Sequence, residues 1–156
     1  MKLDIKIRSA KPEDIEGIIP LCAAHAAYEK CPYQSPGKKE GLFRAIFQHP
    51  KKLHCLVVEC DKILIGYATY MTQFSTWDAS PYLYLDCIFL KEYARGLGIG
   101  EKLMKRIQHK GQRMGCSQMQ WQTPDFNTRA IQFYEHLGAK NKSKLRFFWT
   151  PKASTN

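Results

Sequence analysis

Apolar and polar positions alternate in some runs of the chain and recur every three to four residues in others. Alternation predicts strands at "LDIKIR", "LHCLVVEC" and "ILIGYATYMT", and Asp61 with Lys62 joins the last two as an antiparallel hairpin. The run "YLYLDCIFL" has almost no polar relief, which indicates a strand buried on both faces in the middle of a sheet. The segment "QFSTWDASP" interrupts the pattern, and two further strands are predicted at "SQMQWQT" and "KLRFFWT".

Helical spacing predicts four helices between these strands. The first lies in "KPEDIEGIIPLCAAHAAYEK", with Pro12 near its start, and the second in "EGLFRAIFQ". The third runs from the glycine-rich segment to about Met114, and the fourth is "NTRAIQFYEHLG", with Asn127 as N-cap and Gly138 as its stop. Helices that alternate with strands predict one α/β domain over residues 1–150 and a loose tail over residues 151–156.

Composition narrows the class of protein. The 156 residues are 44% apolar and 24% charged, which is globular, and no apolar run has the length of a membrane span. With no signal-peptide core in "MKLDIKIRS", we expect a cytoplasmic protein whose six cysteines are reduced. His54, Cys55 and Cys60 fit no zinc spacing, so no metal is predicted. The net charge of +10 attracts anions, but the spread of Lys and Arg favours a solvated surface over nucleic-acid binding.

The segment "EYARGLGIGEKLMKRIQHK" places three glycines directly before a helix. The first turn of a helix carries unpaired N–H groups and positive potential, and glycines let a phosphate approach them closely. The spacing matches neither the G-x-G-x-x-G nor the G-x-x-x-x-G-K-[ST] nucleotide pattern. A tight strand-to-helix turn that binds nothing is the alternative.

Two motifs carry a resemblance to a known family. Arg95, Gly98 and Gly100 form R-x-x-G-x-G, and Asn127, Ala130, Tyr134, Gly138 and Ala139 form N-x-x-A-x-x-x-Y-x-x-x-G-A. Together they resemble the GCN5-related N-acetyltransferases (GNAT superfamily), and "AAYEK", "YLYLD" and "AIQFYEHLGA" resemble its spermidine/spermine branch. The resemblance implies an α/β GNAT fold: a mixed, twisted sheet of six to seven strands flanked by about four helices.

The resemblance implies acetyl-coenzyme A as the acetyl donor and an enzyme that moves the acetyl group to a primary amine. The implied donor site comprises the strand that precedes the loop, the loop itself and the later motif: Ile88, Phe89, Leu90, Arg95, Gly96, Leu97, Gly98, Ile99, Gly100, Glu101, Asn127 and Tyr134. The relatives commonly form dimers, so a homodimer is expected.

The resemblance also implies two catalytic residues. Tyr134 would return a proton to the departing thiolate; an ordinary half-buried tyrosine is the alternative. Asp86 stands where the relatives usually carry Glu and would take the ammonium proton through water. Asp86 interrupts an apolar strand, where a buried carboxylate is costly, and capping by backbone amides is its alternative role.

Substrate contacts are expected from Tyr28 and Glu29, which match a "Y-E" pair in the relatives, and from Asp86, Gln120 and Gln122. For the first pair a solvated helix end is the alternative. The resemblance implies a small-molecule acceptor that is either diamine- or polyamine-like or derived from an amino acid. Because "KNKSKLR" replaces the acidic segment of polyamine enzymes, we favour a less charged amine, such as one derived from an amino acid. A protein or peptide amine, and a non-catalytic acetyl-coenzyme A-binding module, are the alternatives. Nucleic-acid binding through the basic surface ranks last.

Overall fold

The computed structural model describes residues 3–152. Its strands are β1 (Ile5–Ser9), β2 (His54–Cys60), β3 (Ile63–Ser75), β4 (Ser80–Leu90) and β5 (Met119–Gln120). Its helices are α1 (Ile15–Tyr28), α2 (Lys38–Phe47), α3 (Ile99–Arg113) and α4 (Thr128–His136), with 3-10 turns at Pro12–Asp14 and Glu92–Ala94. The order of elements confirms the predicted α/β class and all four predicted helices.

The strands form one sheet in the order β1-β2-β3-β4-β5. Neighbours are antiparallel except for β4 and β5, which are parallel, so the sheet is mixed as predicted. Asp61 and Lys62 both have positive φ and close the predicted β2–β3 hairpin. The predicted interruption at "QFSTWDASP" is too wide, because the β3–β4 ladder continues to the Ser75–Ser80 pair.

The strand count and two strand predictions need correction. The described residues contain five strands, not six or seven, and β5 occupies only two residues of "SQMQWQT". The predicted strand "KLRFFWT" has no strand structure: Leu145, Phe147 and Trp149 are 84–96% exposed. An apolar segment becomes a strand only where a neighbouring strand supplies its hydrogen bonds, and alternation alone does not supply that neighbour.

Helices pack on both faces of the sheet. Residues paired directly across antiparallel strands share a face, so Val57 of β2 and Tyr67 of β3 lie on one side. Val57 joins a core cluster with Ile18 of α1 and Ile46 of α2, which places those helices on that side. On the other side α3 approaches so closely that a Cβ on its Gly111 would lie 3.0 Å from Leu83 of β4. The core therefore forms two layers, one on each face of the sheet.

Contacts divide the chain into two compact units. The first reaches Pro124 and holds the sheet with α1, α2 and α3; the second begins at Asp125 and holds α4. The predicted single domain over residues 1–150 stays a prediction. Pro151 and Lys152 of the predicted tail are exposed without regular structure, and residues 153–156 lie outside the described residues. No helix within residues 3–152 is long and apolar enough to cross a membrane.

Candidate active site

The glycine-rich segment leaves β4 and enters α3 through two left-handed residues. Gly96 and Gly98 both have φ of +77°, a conformation that glycine adopts without strain, and Gly98 is the N-cap of α3. A Cβ built on either glycine would meet no heavy atom within 4 Å. Neither glycine is therefore needed to avoid a clash within the protein. The space above them is open, as a site for an approaching group requires.

The start of α3 supplies the donors that such a group would meet. At this end the Lys102 N–H donates to the Gly98 carbonyl at 3.2 Å. N–H groups earlier in a first turn have no carbonyl one turn back to receive them. Ile99, Leu103 and Ile107 are buried and anchor the helix to the sheet. The residues present thus fit a diphosphate, and the anchored helix fixes where it would be held.

Within residues 3–152, the carboxyl half of β4 has a strand partner on one side only. Within the described chain, β5 pairs with Leu83 and Tyr84 of β4, whereas β3 pairs with β4 as far as Leu90. Residues Ile88, Phe89 and Leu90, predicted to bind the donor, therefore lie where the sheet splits. A sheet edge presents backbone N–H and C=O groups, and a ligand with an extended, amide-containing chain could form hydrogen bonds with them.

Asp86 lies at a β-bulge in this strand. Leu85 pairs with Tyr70 and Cys87 pairs with Thr69, so Asp86 is an extra residue between two adjacent rungs of the ladder. The expectation of a buried carboxylate is wrong, because Asp86 is exposed. The bulge also switches the strand's faces: Leu85 points to the α3 side and Cys87 to the α1 side.

Several predicted residues from separate segments gather at the end of α1. The Arg95 guanidinium lies over the Tyr28 ring at 4.5 Å and the Phe89 ring at 5.4 Å, and its Nε donates to the Leu90 carbonyl at 2.9 Å. The Arg95 side chain therefore links the glycine loop to the predicted substrate residue Tyr28.

A histidine that the sequence interpretation missed lies beneath this group. His25 is 9% exposed and stacks on Phe89 at 5.3 Å; its Nε2 lies 3.4 Å from Glu29 Oε1. Burial lowers the pKa of His25, while the carboxylates of Glu29 and Asp86 oppose that shift. One feature of the sequence could have indicated that His25 is buried: it lies seven residues after Ile18, on the apolar stripe of α1.

The two glutamines lie outside this group of contacts. Gln120 Nε2 donates to Gln118 Oε1 at 2.8 Å, and Gln122 follows the end of β5; both glutamines are exposed. Their role in substrate binding stays a prediction.

The second unit carries the other predicted motif. Asn127 is the N-cap of α4, since its Oδ1 accepts from the Ala130 N–H at 3.3 Å, which confirms the predicted cap. Gly138 follows the helix with φ of +94° and ends it as predicted. Tyr134 is half-buried in the last turns of α4, its ring 5.4 Å from that of Phe133.

Potential metal ligands are not grouped in the described residues. No three His, Cys, Asp or Glu side chains within residues 3–152 are placed to hold a metal ion. The six cysteines are free thiols in the structure.

Fold and sequence together define the class of this protein: residues 21–139 match the acetyltransferase (GNAT) family, and the chain belongs to that family. It is an N-acetyltransferase. The thialysine N-epsilon-acetyltransferase of Bos taurus is 34% identical over 145 residues, which cover 88% of this chain and 85% of that protein. The spermidine/spermine N(1)-acetyltransferase-like protein 1 of Homo sapiens is 26% identical over 88% of this chain and 21% of its own length.

A solved structure shares the fold. An aminoglycoside N-acetyltransferase in complex with CoA superimposes with a TM-score of 0.80 at 21% identity, covering 96% of this chain and 97% of that one. The predicted GNAT fold is therefore confirmed.

Proposed function

We propose that this protein transfers an acetyl group from acetyl-coenzyme A to the primary amine of a small molecule. The left-handed glycines at the start of α3, where an added Cβ would meet no heavy atom within 4 Å, carry the proposal, because a helix N-terminus without covering side chains suits a diphosphate. The half-paired β4 next to this loop supports it, since the pantetheine arm carries amides that suit an open strand edge.

The donor supplies a thioester, and residues of this chain supply binding and proton transfer. The loop from Arg95 to Glu101 would hold the diphosphate, and the backbone of Ile88, Phe89 and Leu90 would align the arm. Asn127 would meet the pantetheine amide in addition to capping α4. These contacts would fix the thioester carbonyl for attack by the amine nitrogen.

Two proton transfers accompany the reaction. A free alkyl ammonium titrates near about 10.4, so the amine must lose a proton before it can attack. Asp86, exposed at the bulge of β4, would accept this proton through water. As the carbon–sulfur bond breaks, the Tyr134 hydroxyl would donate its proton to the departing thiolate.

The acceptor we favour is an amine that also carries a carboxylate, such as an amino acid with a side-chain amine. Tyr28, predicted to contact the substrate, lies under the cationic Arg95 while Glu29 and Asp86 supply negative charge nearby. A cation beside two carboxylates suits a zwitterion better than a polyamine, and the net charge of +10 acts in the same direction. The similarity to a thialysine acetyltransferase supports this choice.

An amine panel tests the proposal. Thiol release and product mass are measured with L-thialysine, L-ornithine, 1,4-diaminobutane, spermidine and a lysine-containing peptide. We expect L-ornithine to exceed 1,4-diaminobutane, which is ornithine without its carboxylate. Release with the peptide alone would favour a protein acetyltransferase. Tight acetyl-coenzyme A binding with no release from any amine would favour the non-catalytic module.

A further inference from the structure

A buried hydrogen-bond chain runs from the sheet to the end of α1. Tyr67 of β3 is 2% exposed, and its hydroxyl lies 2.8 Å from Nδ1 of His25. The other ring nitrogen of His25, Nε2, faces Glu29 Oε1 at 3.4 Å. Phe89 stacks on the imidazole, and the Tyr67 ring meets it edge-on at 5.8 Å, so the ring is fixed on two sides.

Burial favours the neutral forms of Tyr67 and His25 in this hydrogen-bond chain. It raises the pKa of Tyr67, which keeps the phenol protonated, and lowers the pKa of His25, which favours the neutral imidazole. Because the Glu29 carboxylate can only accept a hydrogen bond, the ring hydrogen of the neutral imidazole lies on Nε2, and the Tyr67 hydroxyl donates to Nδ1. The Nε2–H then points to the Glu29 carboxylate and holds it at the end of α1.

The charged side chains around His25 carry one more negative charge than positive charge. Glu29 on α1 and Asp86 on β4 favour a positive charge at the imidazole, whereas Arg95 from the glycine loop opposes it. The remaining neighbours of the Tyr67 hydroxyl are the thiols of Cys22 and Cys87, whose pKa values burial raises, so both are neutral. Two carboxylates against one guanidinium leave a single negative charge to be matched.

We propose that His25 is a positioning residue for amine binding: supported by Tyr67, it holds Glu29 toward the substrate ammonium, and it does so as the uncharged imidazole. This inference rests on the proposed function. When His25 gains a proton, it matches the remaining negative charge itself and repels the incoming ammonium. Amine binding and His25 protonation therefore exclude each other, although His25 takes no part in the acetyl transfer.

The test separates amine affinity from chemistry. We expect His25→Asn to raise the amine KM about 10- to 100-fold, as for loss of a hydrogen bond to a charged group, with kcat and the acetyl-coenzyme A KM changed little. In the wild type the amine KM should rise as pH falls from 7.5 to 5.5, and His25→Asn should remove this rise. His54→Asn is the matched control, because His54 stacks on Tyr70 at 5.2 Å in another part of the sheet.

A second measurement needs no variant of His25. The His25 ring signal, assigned by substituting the other four histidines one at a time, is titrated by NMR with and without saturating amine. We expect the amine to lower the pH at which His25 titrates. The inference is overturned if the amine leaves the His25 titration unchanged, or if a folded, active His25→Asn enzyme has an unchanged amine KM. Either result leaves the proposed function intact. Absence of turnover by the wild type with every amine refutes the proposed function and this inference with it.

Discussion

Gly66 of β3 leaves no room for a side chain against β4, and an added methyl group should disturb this strand pair measurably. A Cβ at Gly66 would lie 2.5 Å from Leu90 Cδ2 and 2.8 Å from the Phe89 carbonyl oxygen. The leucine side chain can rotate, but the carbonyl belongs to the β3–β4 ladder, in which Gly66 pairs with Leu90 and Tyr67 with Phe89. The carbonyl contact is about 0.5 Å shorter than an ordinary C···O contact of about 3.3 Å.

The expected magnitude follows from two opposing effects. Overpacking of a fixed core costs about 1–3 kcal/mol, whereas Gly→Ala stabilises by about 0.4–1 kcal/mol through the unfolded chain. Gly66→Ala should therefore lower the free energy of unfolding by about 1–2 kcal/mol, or the melting temperature by roughly 2–8 °C. Because the displaced backbone belongs to Phe89 and Leu90, the acetyl-coenzyme A KM should rise as well.

Urea unfolding followed by circular dichroism measures this change, with Gly41→Ala as the matched control. Gly41 lies inside α2, where an added Cβ meets no heavy atom within 4 Å, so the same substitution should stabilise by about 0.5–1 kcal/mol. The two variants should move in opposite directions. A Gly66→Ala protein as stable as the wild type would refute the packing account of this strand pair.

Three further outcomes are expected. Gly98→Val should weaken acetyl-coenzyme A binding at least tenfold by calorimetry, because the valine side chain fills the open space at the loop. The φ of +77° also costs a β-branched residue about 1–2 kcal/mol. Unchanged affinity would exclude the loop as the donor site. Tyr134→Phe should lower kcat about 100-fold with little change in donor affinity, and a loss confined to affinity would contradict the acid role. Since burial lowers the pKa of both His25 and His54, the wild type should lose stability in urea as pH falls below about 6.5, and His25→Asn should lose less; equal losses would contradict the buried, neutral imidazole.

Elements with strong local signals could be predicted from the sequence. The third helix combines a glycine N-cap with buried Ile99, Leu103 and Ile107 at regular spacing, and its predicted end lies within one residue of the observed end. The β2–β3 hairpin was equally predictable, because both flanking runs are apolar and the turn is short. In these elements local propensity and tertiary packing favour the same structure.

Features that depend on distant partners were not predictable in this way. The run "KLRFFWT" has the composition of a strand but no ladder partner in the described structure. The bulge at Asp86 arises from the pairing of β4 with Thr69 and Tyr70 of β3, and a single strand's pattern contains no trace of it. The hydrogen bond between His25 and Tyr67 joins residues 42 positions apart, so no local pattern indicates it.

Asp86 contributes to the fold in two ways: it is an extra residue of β4 relative to β3, and it carries a carboxylate. Replacing Asp86 removes only a carboxylate and leaves the two-layer arrangement of the strand intact. Deleting it would rotate Cys87 and the residues after it by half a turn, so that up to the glycine loop the side chains on the α1 side and those on the α3 side would exchange places. Alternate side chains of β4 pack on the α3 layer before the bulge and on the α1 layer after it. This change of face requires one extra residue in the strand, and in this protein the extra residue is an exposed aspartate.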